Sequence, residues 1–280
     1  MRLVHSPAEL QRLASEALVS GTIVGVVPTM GALHEGHLSL VRAARDECDL
    51  VIVTVFVNPT QFGPSEDLDK YPRSLEQDAI LSEAAGADVV FAPSAADMYP
   101  AEFQNYVETG PLAERLCGAS RPGHFRGVAT VVLKLLNVTR AARAYFGEKD
   151  YQQLRVIQQM ASDFNLPVEV VPVPTVREAD GLAMSSRNRY LSADERKAAL
   201  VLNQSLDLAA ESWARGERGP EALGEGVRGV IESEPLARVD YVEVVDPVTL
   251  LPAAEGSTRV LIALAVVIGA TRLIDNRLLA

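Results

Sequence analysis

The strongest constraint on the fold is the alternation of apolar and amphipathic segments through the first 175 residues. Segments such as "TIVGVV", "LVIVTVFVNP" and "VEVVPVPTV" have the length of buried strands, and the segments between them have the pattern of helices. Strands that are apolar throughout and alternate with helices are typical of a mostly parallel sheet with right-handed connections and helices on both faces. The sequence therefore predicts an α/β protein with a Rossmann-like sheet.

The pattern changes beyond Val176. A polar loop, "READGLAMSSRNRYLS", precedes a long helix from about Ala193 and a second helix, and strand-like segments such as "VDYVEVV" and "TRVLIALAVVIGA" follow. Helices followed by strands indicate a smaller α+β domain. We place the boundary near Thr175, which gives domains at residues 1–175 and 176–280.

Charge and composition narrow the class of protein. Acidic residues outnumber basic ones 37 to 26, for a net charge of −11, which disfavours broad attachment to nucleic acid or to anionic membranes. The longest apolar run is about half of the ~20 residues that span a bilayer. The start "MRLVHSPAELQ" lacks the apolar core of a signal peptide, and Cys48 and Cys117 lie far apart outside any CxxC motif. We expect a cytoplasmic protein that binds neither nucleic acid nor membranes.

The segment "PTMGALHEGH", from Pro28 to His37, directly follows an apolar strand. In open α/β sheets, ligands bind beyond the carboxyl ends of strands, where N–H groups at helix N-termini receive anions. Gly31 and Gly36 let a phosphate or an adenine ring approach the backbone, and His34 and His37 can donate hydrogen bonds to phosphate oxygens. The segment therefore predicts a site for a nucleoside triphosphate.

Other interpretations of this segment carry less weight. His34 and His37 are three residues apart instead of the four of the HExxH zinc motif, and only His5 and His124 remain as further histidines. Two polar histidines at a helix start would be a reasonable alternative if the segment stood alone. Neither the Walker nor the GxGxxG spacing is present.

Two further clusters follow predicted strands. In "FVNPTQF", we expect the strand to end at Phe56-Val57 and to deliver Asn58 and Gln61, amides suited to a small hydroxylated substrate, although Asn-Pro is also a common turn. In "YFGEKDYQQL", Gly147 ends a strand before a helix with the following residues in its first turns: Glu148, Lys149, Asp150 and Gln153. The lysine can reach phosphates, Asp150 can accept from ribose hydroxyls and Gln153 can contact a second substrate, whereas Glu148 suits a simple helix start.

The fourth cluster, "MSSRN", spans Met184 to Asn188 in the polar loop. Two hydroxyls and a guanidinium close together form a clamp for triphosphate oxygens, with a solvated loop as the alternative.

Together these motifs resemble a known family. "PTMGALHEGH" is similar to the HxGH signature of the nucleotidyltransferase superfamily, and "MSSRN" is similar to its KMSKS-type loop. With "FVNPTQF", "EDLDKYPR", "RPGHFRGVATVV", "FGEKDYQQL" and "VREADGLAMSSRNRYLS", the chain resembles the pantothenate synthetase (pantoate–β-alanine ligase) family over nearly its whole length. The region after about Ser205 carries no diagnostic residues.

The resemblance implies a ligase that condenses pantoate with β-alanine, using ATP and Mg²⁺, through a pantoyl adenylate. It implies a homodimer in which residues 1–175 bind nucleotide and pantoate and residues 176–280 form a lid. Triphosphate contacts would come from His34, His37, Lys149, Ser185, Ser186 and Arg187. The adenosine would be framed by Met30, Gly36, Gly147, Asp150, Val176 and Met184. Pantoate would be held by Gln61 and Gln153 in a pocket with Phe56, Asn58, Thr29 and Met30.

Several points stay open at this stage. The resemblance assigns no protein ligand to the metal, Tyr71 and Arg121 are weaker assignments, and His124 is suited to a structural role. The rival functions are a sister nucleotidyltransferase that acts on a phosphate ester and a non-catalytic nucleotide sensor.

Overall fold

A six-stranded parallel sheet and a three-stranded antiparallel sheet form the framework of the chain. The computed structural model describes residues 1–63, 66, 68 and 71–280. The strands are β1 Arg2–Val4, β2 Val24–Thr29, β3 Leu50–Val55, β4 Val89–Phe91, β5 Arg143–Gly147, β6 Glu169–Val173, β7 Ala237–Val245, β8 Val260–Ile268 and β9 Thr271–Leu279. The helices are α1 Pro7–Val19, α2 Glu35–Glu47, α3 Leu75–Ala84, α4 Ala95–Met98, α5 Cys117–Ser120, α6 His124–Thr139, α7 Tyr151–Asp163, α8 Ala193–Ala198, α9 Val201–Ala214 and α10 Pro220–Glu232. The predicted fold class is confirmed.

The order of the parallel strands is β1-β4-β3-β2-β5-β6. From β2 the chain moves outward to β3 and β4, and it then returns to the other side of β2 to add β5 and β6. The order therefore reverses between β2 and β5, and in open α/β sheets ligands bind at such a switch point, beyond the carboxyl ends of the strands. Those ends are Thr29 in β2 and Gly147 in β5.

Helices cover both faces of the parallel sheet. On one face, Val41 and Ala44 of α2 pack with Val27 and Val53 in one buried cluster. Side chains alternate between faces along a strand, so the fully buried Val26 lies on the opposite face, where α1 and α6 contact each other and β2. Burial on both faces explains why the central strands β2 and β3 are apolar over almost their whole length.

The antiparallel sheet has the order β7-β8-β9. The central strand β8 contains the long apolar run, and it packs with residues of α9 and α10 in one core cluster that includes Leu206, Trp213 and Val227. The single long helix that we predicted from Ala193 is instead α8 and α9. The break is a tightened turn, in which the Leu200 N–H bonds to the Lys197 carbonyl three residues earlier.

The chain divides into two compact units that are not contiguous in sequence. The first comprises residues 1–110, 121–148 and 153–174, and the second comprises residues 111–120, 149–152 and 175–280. The chain crosses from the first unit to the second for the last time between Pro174 and Thr175. The division into functional domains at 1–175 and 176–280 stays a prediction. Among the described residues, no helix combines the length and the hydrophobicity that a bilayer span requires.

Several element ends differ from the prediction. β3 ends at Val55 and not at Phe56-Val57, because Asn58 already caps a 3₁₀ helix at Pro59–Gln61. The sequence does not predict β1, since a three-residue strand has no readable alternation. The residues after Gly147 form a 3₁₀ helix at Glu148–Asp150, and α7 begins only at Tyr151.

Candidate active site

The two histidines of "PTMGALHEGH" begin helix α2. His34 is the N-cap residue, and its Nδ1 accepts the Gly36 N–H at 3.2 Å. His37, in the first turn, accepts the His34 N–H on its own Nδ1 at 3.4 Å, and the ring centroids are 4.1 Å apart. Because Nδ1 is the acceptor in both rings, the neutral imidazoles carry their proton on Nε2. Each ring is thereby oriented as an Nε2–H donor, which is the polarity that phosphate oxygens require.

A buried carboxylate that sequence analysis missed holds the loop before these histidines. Asp78 of α3, 2% exposed, accepts the Ala32 N–H at 3.0 Å and the Leu33 N–H at 2.8 Å. Gly31 and Ala32 have φ of 83° and 52°, and a Cβ at Gly31 would lie 2.8 Å from the Asp78 carboxylate. The glycine is therefore needed both for its conformation and for the close approach of the acid. The sequence contains one sign that Asp78 is buried: it follows Leu75 by three residues and so lies on the same face of α3.

Thr29 lies at the carboxyl end of β2 and is 8% exposed. Its hydroxyl donates to the Thr54 carbonyl at 2.7 Å and accepts the Gly31 N–H at 3.1 Å. These bonds join the ends of β2 and β3 to the start of the loop. The predicted role of Thr29 toward substrate stays a prediction, and the contacts described here are structural.

Three of the residues predicted to bind substrate are brought together beside β2 and β3. Gln61 is 9% exposed, and its Nε2 lies 3.2 Å from Met30 Sδ. Its Oε1 accepts from Asn58 Nδ2 at 3.0 Å. Phe56, 5% exposed, contacts Tyr99 with ring centroids 6.3 Å apart. The first unit therefore holds Met30, Asn58 and Gln61 as one connected group.

Arg121 and His124 support the backbone of Gln61. His124 Nδ1 lies 2.9 Å from the Gln61 carbonyl oxygen, and Arg121 donates to the same oxygen at 3.3 Å. Arg121 also forms two 2.6 Å hydrogen bonds to Glu66. Burial raises the pKa of the Glu66 carboxyl, but the hydrogen bonds and charge of Arg121 outweigh it, so that the pKa lies below its ordinary value. Both residues fit a structural role around Gln61.

The motif "EDLDKYPR" is only partly placed, because Asp67, Asp69 and Lys70 lie outside the described residues. Tyr71 is 6% exposed and packs edge-on against Phe62, with ring centroids 6.1 Å apart. In this structure Tyr71 is a core residue.

The strand β5 ends at Gly147, where a Cβ would meet nothing within 4 Å. Lys149 and Asp150 follow in the 3₁₀ helix, Lys149 half-buried and Asp150 exposed. The Lys149 carbonyl accepts from Asn276 Nδ2 at 2.9 Å, within the second unit. Gln153 lies half-buried in the first turn of α7 and belongs to the first unit.

The "MSSRN" segment belongs to the second unit. Met184 and Val176, both predicted to frame adenosine, are joined by a 3.0 Å backbone hydrogen bond. Ser185 caps the 3₁₀ helix Ser186–Tyr190 by accepting the Arg187 N–H at 3.2 Å, and Ser186 is buried. These bonds give the predicted clamp a defined local geometry.

An ion pair anchors the loop that leads to this segment. Arg177 makes two hydrogen bonds, of 2.6 Å and 2.9 Å, to the carboxylate of Asp275 on β9, whose side chain is 1% exposed. A bidentate pair of this kind fixes the direction of the guanidinium as well as its distance. The loop is thereby attached to the antiparallel sheet of the second unit.

The predicted site residues are thus distributed over both units. The first holds Thr29, Met30, His34, Gly36, His37, Phe56, Asn58, Gln61, Gly147 and Gln153, and the second holds Lys149, Asp150, Val176, Met184, Ser185, Ser186 and Arg187. Within the first unit, Met30 of one motif contacts Gln61 of another, and Gln61 accepts from Asn58. Their assembly around one nucleotide stays a prediction.

Comparison with known proteins agrees with these motifs. A family model for pantoate-beta-alanine ligase matches residues 2–278. A pantothenate synthetase from Roseiflexus castenholzii is 57% identical over 279 residues, covering 100% of this chain and 99% of the relative. The crystal structure of pantothenate synthetase from Thermus thermophilus has a TM-score of 0.93 and 46% identity, with 99% of each chain covered.

A more distant solved structure shares the fold. Pantoate-beta-alanine ligase from Francisella tularensis, complexed with beta-gamma ATP and β-alanine, has a TM-score of 0.80 and 36% identity, covering 99% of this chain and 97% of that one. The match of the family model to almost the whole chain and the identity of its relatives lead to one conclusion. The chain belongs to the pantoate–β-alanine ligase (pantothenate synthetase) family.

Proposed function

We propose that the chain catalyses the ATP-dependent condensation of pantoate with β-alanine to pantothenate, with release of AMP and pyrophosphate. The observation that carries this proposal is the family match over residues 2–278. The Nε2–H polarity of His34 and His37, beside the switch point of the sheet, supports it. The Francisella tularensis relative, which was solved in complex with beta-gamma ATP and β-alanine, supports ATP and β-alanine as two of the substrates.

The reaction proceeds in two displacements. A pantoate carboxylate oxygen attacks the α-phosphorus of ATP, the bond from that phosphorus to the bridging oxygen breaks, and pyrophosphate leaves. The amine of β-alanine then attacks the acyl carbon of pantoyl adenylate, loses a proton, and AMP leaves with the original carboxylate oxygen. A carboxylate is a weak electrophile, so adenylation supplies the leaving group that the second step needs. The protein positions the reactants and stabilises phosphate charge.

The roles of individual residues are part of the proposal. His34 and His37 donate to phosphate oxygens. The remaining triphosphate contacts, which bind its negative charge, come from residues of the second unit: Lys149, Ser185, Ser186 and Arg187. The adenosine lies among Met30, Gly36, Gly147, Asp150, Val176 and Met184, with Asp150 on the ribose. Pantoate is held by Gln61 and Gln153, beside Phe56, Asn58, Thr29 and Met30.

Mg²⁺ fits this set of residues as an ion that is carried by the nucleotide. Among the described residues, no group of three or more His, Cys, Asp or Glu is placed to hold a metal ion. The proposed phosphate contacts are N–H and O–H donors, so the oxygen ligands that Mg²⁺ prefers would come from ATP phosphates and water. The ion would supply charge neutralisation on the phosphates.

The roles of the two predicted domains complete the proposal. Residues 1–175 bind nucleotide and pantoate, and residues 176–280 act as a lid, in a cytoplasmic homodimer. Light scattering of the purified chain tests the dimer, and a mass of about 30.1 kDa, that of one chain, would contradict it.

The order of chemistry is tested with labelled substrate. Enzyme, Mg-ATP and pantoate without β-alanine should form bound pantoyl adenylate and pyrophosphate, and ¹⁸O in the pantoate carboxylate should appear in AMP once β-alanine is added. Label that never reaches AMP would contradict the adenylate. Turnover that does not depend on β-alanine, or no turnover at all, would favour the phosphate-ester transferase or the nucleotide sensor.

The lysine is tested in the first half-reaction. Lys149→Ala should slow adenylate formation by roughly 10²–10³-fold, by analogy with the loss of one positioned donor at an oxyanion. The matched control is Lys197→Ala, because that side chain is 80% exposed in α8 and should leave the rate unchanged. A normal rate in the Lys149 variant would remove this lysine from the chemistry.

The pantoate contacts are tested separately. Gln61→Ala and Gln153→Ala should raise KM for pantoate more than KM for ATP, since each removes hydrogen bonds worth about 0.5–1.5 kcal/mol net. Gln159→Ala serves as the control, because Gln159 lies on the same helix as Gln153 and bonds to the exposed Asp163. Unchanged pantoate kinetics in both variants would exclude the two glutamines from the site.

A further inference from the structure

The side chain of Asn58 has no hydrogen left to give to a substrate. It is 1% exposed, and its Nδ2 donates both of its hydrogens, to the Gly127 carbonyl at 3.1 Å and to Gln61 Oε1 at 3.0 Å. Its Oδ1 accepts the Thr60 N–H at 3.4 Å, the Thr60 hydroxyl at 3.0 Å and the Tyr99 hydroxyl at 2.7 Å. Asn58 is therefore saturated by the protein itself.

Two backbone groups fix which way the Asn58 amide faces. The Thr60 N–H can only donate, so the atom beside it must be Oδ1, and the Gly127 carbonyl can only accept, so the atom beside it must be Nδ2. The amide cannot be reversed without placing donor against donor and acceptor against acceptor. The orientation does not depend on any hydroxyl rotor.

This orientation sets the polarity of Gln61. Because Asn58 donates to it, the Gln61 amide must turn its oxygen toward Asn58 and its Nε2 away. On that other side Nε2 lies 3.2 Å from Met30 Sδ, and a thioether is a weak acceptor. Gln61 therefore presents a hydrogen-bond donor on the side of Met30.

Tyr99 makes the shortest of the hydrogen bonds to Asn58, and its ring packs in a cluster of aromatic side chains. The ring centroid lies 6.3 Å from that of Phe56 and 5.0 Å, edge-on, from that of Phe103. Lys134 Nζ lies 5.8 Å from the Tyr99 ring. Burial raises the pKa of the Tyr99 hydroxyl, and the bond to Thr60 opposes this only in part, so the hydroxyl stays protonated at neutral pH.

We propose that Tyr99 is a positioning residue of the pantoate pocket, which acts through Asn58 to present the Gln61 Nε2–H to an oxygen acceptor of pantoate. The inference rests on the proposed function, because it assigns the polarity of a contact to that substrate. It also assigns Asn58 to positioning, in contrast to its predicted role as a direct substrate contact.

The test removes one hydroxyl at a time. Tyr99→Phe should raise KM for pantoate about two- to ten-fold, the range expected for one lost hydrogen bond, and leave KM for ATP within about two-fold. Thr60→Val, which removes the second hydroxyl on Asn58 Oδ1, should give the same selective rise and serves if the first variant folds poorly. Tyr106→Phe is the control, because its ring lies in the same cluster of aromatic side chains, against Phe103.

A double-mutant cycle tests the route through Gln61. In the Gln61→Ala background, Tyr99→Phe should cause no further rise in KM for pantoate, because the group through which it acts is gone. Independent, additive effects of the two substitutions would overturn the inference. So would an unchanged KM for pantoate in both hydroxyl variants while Gln61→Ala raises it, a result that would leave the proposed function intact.

The polarity itself is tested by Gln61→Glu. This change keeps an oxygen toward Asn58 but replaces the donor by an acceptor, so it should impair pantoate use at least as much as Gln61→Ala. A Gln61→Glu variant that uses pantoate better than Gln61→Ala would overturn the polarity. Absence of pantoate-dependent AMP formation in the unmodified chain would instead overturn the proposed function.

Discussion

Replacing Gly127 of α6 by alanine should impair the use of pantoate, because the added methyl group displaces the backbone that carries Gln61. Gly127 lies in the first turns of α6, where the helix passes directly against the 3₁₀ helix that carries Gln61. A Cβ at this position would lie 2.3 Å from the Thr60 carbonyl oxygen and 2.7 Å from the Gln61 nitrogen. Ordinary contacts of a Cβ begin near 3.4 Å, so the turn must retreat by about 1 Å. The bond from Asn58 to the Gly127 carbonyl must stretch with it.

The expected magnitude follows from this displacement. A misplacement of about 1 Å in a positioned group costs on the order of 10²-fold in rate. Overpacking against backbone costs about 1–3 kcal/mol, and the better helix propensity of alanine returns at most about 1 kcal/mol. We therefore expect kcat/KM for pantoate to fall on the order of 10²-fold. Tm should fall by about 2–4 °C for each kcal/mol of net destabilisation.

The matched control is Gly226→Ala. Gly226 lies in the middle of α10, and a Cβ there meets nothing within 4 Å, so this variant should gain stability and keep normal pantoate kinetics. Both kinetics and thermal unfolding are measured on the two variants in parallel. A Gly127→Ala protein with a raised Tm and an unchanged KM for pantoate would refute the argument that the approach of α6 positions Asn58 and Gln61.

Three further outcomes are expected. Asp78→Asn should destabilise the fold by about 1–3 kcal/mol in urea unfolding and raise KM for ATP, because one backbone N–H before the histidines loses its acceptor; unchanged stability would contradict this. Because the pKa of Glu66 is held below its ordinary value of 4.5, its pair with Arg121 stabilises the fold above that pH and loses this effect as the pH falls through the lowered pKa. The Tm difference between the unmodified chain and Glu66→Gln should therefore be full at pH 7 and close in acid, and a constant difference would exclude the ionised pair. ATP should slow tryptic cleavage after Arg187 and Arg189, since an ordered clamp is a poor protease substrate, whereas cleavage indifferent to ATP would mean that the segment is a surface turn.

The alternation of strands and helices was readable because burial on both sheet faces makes the central strands β2 and β3 apolar over almost their whole length. Ser74 at the N-cap of α3 and Pro220 at the first position of α10 are residue types that helix starts favour, although the Ser74 side chain makes no cap hydrogen bond. The start of α2 carries no ordinary cap signal in the sequence, because its N-cap is His34, a residue type that cap preferences do not favour. The order of the strands was beyond the sequence, since it depends on pairings between segments distant along the chain.

The candidate site likewise contains residues that the sequence indicated and residues that only the fold revealed. The residues of the HxGH and MSSRN segments stood out because polar groups and glycines interrupt an apolar pattern. Asp78 did not, because its partners Ala32 and Leu33 are 46 and 45 residues away and only the fold brings them together. The saturation of Asn58 was equally hidden, since it requires Tyr99 and Gly127 from two other segments.

The interleaving of the two units has a consequence for how such a gene can change. The chain passes between the units after residues 110, 120, 148, 152 and 174, so the second unit takes residues 111–120 and 149–152 from the middle of the first. A recombination that exchanged everything after residue 174 would take residues 111–120 and 149–152 from one parent and residues 175–280, the rest of the same unit, from the other. In chimaeras of two relatives, crossovers should therefore succeed where the parents agree at Cys117, Gln152 and Arg272. The Gln152 side chain joins the two segments by donating to the Arg115 carbonyl, and Arg272 on β9 donates to the Cys117 sulfur.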